Sequence, residues 1–398
     1  MHIVIKFEFY LTSSLLPDQI DSIFQLLKQT MKMLCIFLIV SLFSVSFGNA
    51  RFTPIKPKMP RFSWDTLPVS FHCSNSSAPI GMYNPEALQV LAKYSVVEIE
   101  KWQGMDGLFP DKDINWQNCQ NGTDVSKCGC CTEDNIVEVG KAIKEIDPTT
   151  MVIGYHHTYI GYPNYRNGRL LAERPDWWAK DENGEIIHWH GDGTWVYWDH
   201  SQIVASEKWE QGCLDMTSTG HIDGCFFDGC LTSEKQKYNP QYMINKKASM
   251  IDAQTKMPGP CICGSGGDVL EGLAATQVQN WGKHLNWAER EIPMIMDAVK
   301  AGVMFEAHGP CPEDANDQNI INNVSAFLIG AGPYSYYQCG GHSGIVPIWY
   351  PIYDMPLGEP LSDAKLDGDG IWRREFKSGT KVTFDTKTES GTIDWASE

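Results

Sequence analysis

The chain has 398 residues, room for one large domain or two ordinary ones. It is 42% hydrophobic, with 14 Trp, 15 Tyr and 16 Phe, which supports a sizeable core and excludes a disordered chain. A formal net charge of −17 argues against nucleic acid, other polyanions and membranes as partners and leaves a neutral substrate as the expectation.

Residues 31–50 read as a secretory signal peptide. Lys32 is followed by the apolar stretch Leu34 to Phe47 and by Gly48-Asn49-Ala50, a small-residue cleavage site. Either Met31 or Met33 is the true start and residues 1–30 are a gene-model extension, or the segment is an uncleaved anchor. The first alternative predicts a secreted, extracellular protein with no stable membrane insertion after signal removal. Of 13 cysteines, Cys35 lies in the signal, and the remaining even number suggests disulfides. Cys119, Cys128, Cys130 and Cys131 crowd one segment. Its C-x-C-C spacing is not that of a zinc finger, so a disulfide-stapled loop is expected there. Sequons at Asn75, Asn121 and Asn323 are consistent with glycosylation.

Residues 51–66, rich in Pro and basic side chains, form a lead-in. Strands and helices then alternate through residues 67–365. Leu67 to Cys73 is the first strand. Asn84-Pro85-Glu86 starts a helix, with Asn as the cap and Pro in the first turn. Ser95 to Ile99 is the second strand. A helix over Thr132 to Ile146 follows, with Ile136, Val139, Ile143 and Ile146 at helical spacing. Met151 to Tyr155 is the third strand. A helix from Ser201 to Met216 leads into a fourth strand ending in Cys225-Phe226-Phe227-Asp228-Gly229. Further elements are a helix from Asn239-Pro240, a fifth strand at Pro260 to Gly264, a helix over residues 288–300, and a sixth strand at Gly302 to Glu306. A helix then starts at Pro312, and a seventh strand lies at Tyr334 to Tyr337. Residues 366–398 alternate as a β segment that closes the barrel, forms a small hairpin region, or both. This α/β alternation implies parallel pairing and a (β/α)8 TIM barrel. No G-x-G-x-x-G follows the first strand, which disfavours a dinucleotide fold.

Barrel enzymes keep their chemistry at the C-terminal ends of strands. Asp228 ends the fourth strand and Glu306 the sixth, which places them two strands apart. Glycoside hydrolysis needs two carboxyl groups flanking one bond, so Asp228 and Glu306 are the catalytic candidates. Asp228 would be nucleophile or base, and Glu306 general acid. Asp223, an odd number of residues from Asp228, faces the other way and does structural work. Glu98 and Glu100 share a face, and Glu100 is nearer the strand end. The substrate-binding candidates are Glu100, Trp102, Tyr155, His156, Trp177, Trp198, His308 and Tyr336. Several belong to a segment unusually rich in rings, including Trp178, Trp189, Trp195 and Tyr197, whose faces suit sugar rings. No metal and no cofactor is expected, since H-E-x-x-H and similar motifs are absent. Gly264-Ser265-Gly266-Gly267 is not a nucleophile elbow, and Gly340-Gly341-His342 reads as a loop.

The segment Glu173-Arg174-Pro175-Asp176-Trp177-Trp178-Ala179-Lys180-Asp181-Glu182-Asn183-Gly184, followed by Tyr197-Trp198-Asp199, resembles glycosyl hydrolases with α-galactosidase-like or melibiase-like barrels. Asp223-Gly224-Cys225-Phe226-Phe227-Asp228-Gly229 is similar to their fourth-strand aspartate motif. Arg373 to Gly379 is similar to the start of their C-terminal β region. The resemblance implies a secreted barrel hydrolase acting on a carbohydrate with an acid at strand four. The basic residue that such enzymes often place just before that aspartate is missing, because Phe226 and Phe227 stand there, so α-galactoside specificity is not implied. A carbohydrate-binding barrel without catalysis, or a metal-assisted hydrolase using His156, His157 or His308, would use the same cavity.

Overall fold

The structure is a computed structural model that describes residues 57–108, 129–188, 195–231, 240–264, 266–283, 286–309, 317–339 and 346–396. The sequence expectations for the signal segment, Cys119, Cys128, Asn121, Trp189, Ser265 and Gly340 to His342 lie outside the described residues. The chain divides into Met1–Ile55 and Lys56–Glu398, and everything described belongs to the second unit.

Eight strands close into a barrel in chain order: β1 (Val69–Cys73), β2 (Val96–Ile99), β3 (Met151–His157), β4 (Gly224–Asp228), β5 (Ile262–Cys263), β6 (Ala275–Gln279), β7 (Met304–Gly309) and β8 (Ser335–Cys339). Every neighbour is parallel, and β8 pairs back with β1 through Val69–Tyr337 and Ser70–Gln338. This is a (β/α)8 barrel. The strand count from sequence needs one correction. Ala275-Thr276-Gln277-Val278-Gln279 has three polar residues in five and lacks the apolar run that marks the other strands, yet it is β6. Met304–Gly309 is therefore the seventh strand and Ser335–Cys339 the eighth.

The longer helices among the described residues are α1 (Pro85–Lys93), α2 (Thr132–Ile146), α3 (Arg166–Ala172), α4 (Ile203–Ser218), α5 (Pro240–Lys256), α6 (Trp287–Ala301) and α7 (Gln318–Gly330), besides a single turn at Met105–Leu108. In α1, Asn84 Oδ1 accepts from Ala87 N at 2.8 Å, and Pro85 occupies the first turn, where its missing N–H costs nothing. Ile136, Val139 and Ile143 of α2 are buried, as their spacing demands, while Ile146 at the last turn is exposed. Asp223 has the structural job that its parity implied: Oδ2 accepts from Val152 N at 2.8 Å and pairs with Lys144 Nζ at 2.7 Å, tying the start of β3 to α2.

The C-terminal region does not close the barrel. β9 (Lys365–Leu366), β10 (Ile371–Glu375), β11 (Lys381–Asp385) and β12 (Ser390–Asp394) form a separate antiparallel sheet in the order β12-β11-β10-β9. It docks on α7. Arg374 Nη1 donates to the carbonyls of Leu328 and Ala331 at 2.8 and 2.6 Å, satisfying acceptors that the end of α7 leaves unpaired.

Cysteines pair as Cys130–Cys131, Cys213–Cys225 and Cys230–Cys263, whereas Cys73 and Cys261 are free and buried. Asn323 is buried within α7, so that sequon is closed to glycosylation in the folded chain. No helix among the described residues is long and apolar enough to cross a membrane.

Candidate active site

Strand alternation decides which side chains enter the barrel. On β3, Tyr155 and His157 point inward and His156 points outward. His156 Nε2 donates to Trp209 O of α4 at 2.9 Å, and its ring packs on Trp209, so it leaves the set of substrate ligands. On β4, Phe226 and Asp228 point inward, with Phe226 edge-on to His72 of β1.

Asp228 sits at the barrel mouth, with 21% of its side chain exposed. Tyr155 Oη donates to Asp228 Oδ2 at 2.6 Å, and His157 Nε2 lies 3.8 Å from the same oxygen. The turn behind Asp228 is tightly held. Thr158 Oγ1 donates to Asp228 O and Gly229 O, both at 2.8 Å, and the buried Lys246 of α5 donates to Gly229 O at 2.8 Å. The Cys230–Cys263 disulfide then joins the ends of β4 and β5. Burial opposes ionisation of Asp228, but His157, Lys101 and the Tyr155 hydroxyl together hold its pKa below the ordinary carboxylate value. Burial pushes His157 down to about 3 and Lys246 down to about 7. His157 Nδ1 accepts from the backbone N–H groups of Tyr159 and Ile160, as a neutral ring can.

Glu100, at the end of β2, shares this mouth. Its Oε2 pairs with Lys101 Nζ at 2.8 Å. Its Oε1 lies 2.9 Å from His72 Nε2, an ion-pair contact rather than an aligned hydrogen bond. His72 Nδ1 meets Glu98 Oε2 at 2.5 Å. Burial opposes protonation of His72, yet the two carboxylates raise its pKa to about 9. It is an imidazolium bridging the barrel interior to the mouth. Its ring stacks on His308 of β7 at 5.2 Å.

Below His308 lies Glu306, fully buried, in a polar arc made by Ser70, His72, Glu98, Gln277 and Gln338. Gln277 Nε2 is 2.9 Å from Glu98 Oε2 and 3.2 Å from Glu306 Oε2, and Gln338 Nε2 donates to Glu98 Oε2 at 3.2 Å. Glu98 and Glu306 interact directly. Burial and the Glu98 charge raise the Glu306 pKa well above its ordinary value. Glu98 stays ionised against burial through His72. One oxygen of each, Oε1, has no other partner among the described residues, so a proton shared between the two carboxyl groups supplies the missing donor. Glu306 thus meets Glu98 inside the barrel and not Asp228 across its mouth. The extent of the strand explains this: β7 runs on to Gly309, so Glu306 lies mid-strand, below the mouth, rather than at the strand end.

The remaining sequence candidates divide. Trp102, half-buried, flanks Lys101 and meets Tyr162 edge-on at the mouth. Trp177 and Trp198 are buried and stacked at 6.5 Å, with the Arg174 guanidinium 3.9 Å from the Trp177 ring. They belong to the core packing of the segment after β3. Tyr336 Oη donates to Arg61 O at 3.0 Å and packs on Phe62 of the lead-in, away from Asp228. Sequence reasoning missed Lys101, His72 and Lys246. Lys101 directly follows Glu100, which was the one available signal. Among the described residues no three His, Cys, Asp or Glu side chains gather as a metal site.

The chain thus has a closed (β/α)8 barrel with an aspartate at the end of β4, hydrogen-bonded by Tyr155, at the strand ends where such barrels keep their chemistry. Residues 144–380, more than half of the chain, match the hypothetical glycosyl hydrolase family 15, and the chain belongs to that family. No curated protein matches the sequence. Among solved structures, the chain is similar to a noncanonic maltogenic α-amylase from Thermotoga neapolitana, at 11% identity and TM-score 0.46, covering 80% of this chain and 86% of that one. It is also similar to the α-galactosidase AgaB from Geobacillus stearothermophilus, at 10% identity and TM-score 0.42, covering 81% and 48%. The α-galactosidase from Lactobacillus brevis gives 13% identity and TM-score 0.43, covering 81% and 47%. The chain spans about half the length of these two α-galactosidases.

Proposed function

We propose that this glycosidase is secreted and cleaves O-glycosidic bonds of a neutral oligo- or polysaccharide, with Asp228 as nucleophile or base of a two-carboxylate mechanism. The observation that carries this reading is Asp228 itself: a carboxylate at a strand end, part-exposed, kept ionised, with one oxygen fixed by Tyr155. Such a group is poised to attack an anomeric carbon or to deprotonate water. The partner acid must hold a proton at the mouth, a demand that Glu306 does not meet from inside the barrel. Glu100, paired with two cations, suits holding sugar hydroxyls. Trp102, half-buried beside Lys101, supplies a ring face. The charge of −17 favours a neutral substrate, and the Cys230–Cys263 pair fits an oxidising compartment.

The test is hydrolysis of a glycan library and of activated aryl glycosides by protein secreted from an oxidising host, whose mature N-terminus mass spectrometry locates. Asp228→Asn is expected to lower kcat on the order of 10³-fold with folding intact. Wild-type turnover in that variant removes Asp228 from the mechanism. Glycan binding without turnover by the wild type would instead identify a carbohydrate-binding barrel.

A further inference from the structure

The charge that keeps Asp228 ionised has an unexpected source. His157 is the nearest basic group and lowers the Asp228 pKa where the two titrate together, but burial brings its own pKa down to about 3, so at neutral pH the ring itself is uncharged. Lys246 stands behind the turn, with its ammonium bound to the Gly229 carbonyl and 5.1 Å from the Tyr159 ring. Phe226 occupies the inward position one step before Asp228 on β4. Lys101, from the end of β2, also acts on Asp228 through its charge. Its Nζ is gripped by both Glu100 oxygens, at 2.8 and 3.0 Å, and lies 4.2 Å from the centre of the Tyr155 ring. The Trp102 ring flanks it at 5.4 Å, and Asn164 Nδ2 reaches the Lys101 carbonyl at 3.4 Å. The far end of Tyr155 is the hydroxyl that donates to Asp228.

We propose that Lys101 is a positioning residue for Asp228: its ammonium, fixed by Glu100 on the face of Tyr155, polarises that phenol toward the carboxylate oxygen it donates to. The physics is direct. A cation over an aromatic face draws on the ring's electron density, and the effect grows where water is excluded. A phenol so polarised donates a stronger hydrogen bond to an anion. Glu100 has a second role as the anchor of that cation, and His72 holds Glu100 from below.

The proposal rests on Asp228 as the reacting group, so its test needs a readout independent of turnover. Protein labelled with ¹³C at aspartate Cγ is titrated by NMR, with the Asp228 signal assigned by its loss in Asp228→Asn. Lys101→Met is expected to raise the Asp228 midpoint by about one pH unit, and Lys101→Arg to restore most of the difference. In a Tyr155→Phe background, Lys101→Met is expected to move the midpoint by less than half as much, because the bridge is gone. An unchanged midpoint in a folded Lys101→Met protein overturns the proposal, as does a full-sized shift in the Tyr155→Phe background. On a substrate found in the library screen, the acid limb of kcat/KM should follow the same midpoint. If the NMR shift appears but no glycoside is turned over, the functional reading fails and the Lys101–Tyr155–Asp228 coupling stands.

Discussion

Replacing Glu306 with glutamine separates the two roles open to that residue. Glu306 is fully buried, its pKa is raised by burial and by Glu98, and its proton meets Glu98. At neutral pH it is a neutral acid, and glutamine is a neutral group of the same shape. In Glu306→Gln the side-chain carbonyl can keep the contact with Gln277 Nε2, now 3.2 Å, and the new amide N–H can replace the proton offered to Glu98. One neutral hydrogen-bonding group replaces another, so the stability change should stay within about 1 kcal/mol. Turnover should stay within a few-fold of wild type. A general acid deprived of its proton would instead lose about 10²–10⁴-fold in kcat. Glu98→Gln is the contrasting variant: it removes the carboxylate that partners His72, Gln277 and Gln338, and breaking a buried charge pair costs about 3–5 kcal/mol. Urea unfolding and initial rates measured on both variants decide the matter. A loss above a hundredfold in kcat for Glu306→Gln, with an unchanged unfolding midpoint, would refute the internal role and return Glu306 to the reaction.

His72 and the Cys230–Cys263 bridge give two more expectations. The folded pKa of His72, about 9, lies above its ordinary value of 6.5, so its stabilisation is complete below about pH 6.5 and is lost as pH rises through 9. Thermal melts between pH 6 and 10 should fall on the alkaline side, and His72→Gln should flatten that fall; an identical slope in the variant would count against the bridge. The Cys230–Cys263 disulfide closes a loop with a sequence separation of 33, and the loop-closure relation assigns it about 3–4 kcal/mol. Cys230→Ser should lower stability by that order and weaken activity as well, because the bridge begins two residues beyond Asp228. A variant with unaltered unfolding and rate would mean that Thr158 and Lys246 hold the turn unaided.

The fold was readable where periodicity is strong. The four strands up to Asp228 and the helix Thr132–Ile146 follow from apolar runs, helical spacing and capping residues. What escaped was β6, because a strand facing a polar interior has no apolar face to announce it. Gln277 points at Glu98 and Glu306, so the substitution that hides the strand is the same one that builds the arc. The displacement of Glu306 has another cause: the sequence reading ended its strand at Glu306, whereas the strand continues to Gly309 and leaves the carboxyl group inside the barrel beside Glu98. Parity correctly separated Asp223 from Asp228 and paired Glu98 with Glu100, because alternation is local and survives an error in counting strands. It would also have turned His156 outward had Tyr155 been taken as the inward residue.

Lys101 escaped for the opposite reason. It lies just past the end of β2, where alternation no longer governs direction, and its neighbours Tyr155 and Asp228 come from strands far along the chain. The parallel pairing of β2, β3 and β4 brings the three together. The missing basic residue before Asp228 and the lysine beside Glu100 are then two sides of one arrangement. With Phe226 packed edge-on against the His72 imidazolium, β4 has no inward position left for a cation, and the neighbouring charge must come from another strand. A lysine inserted at Phe226 would set a second cation against His72, so Phe226 and Lys101 are expected to be exchangeable only together with the His72–Glu98 pair beneath them.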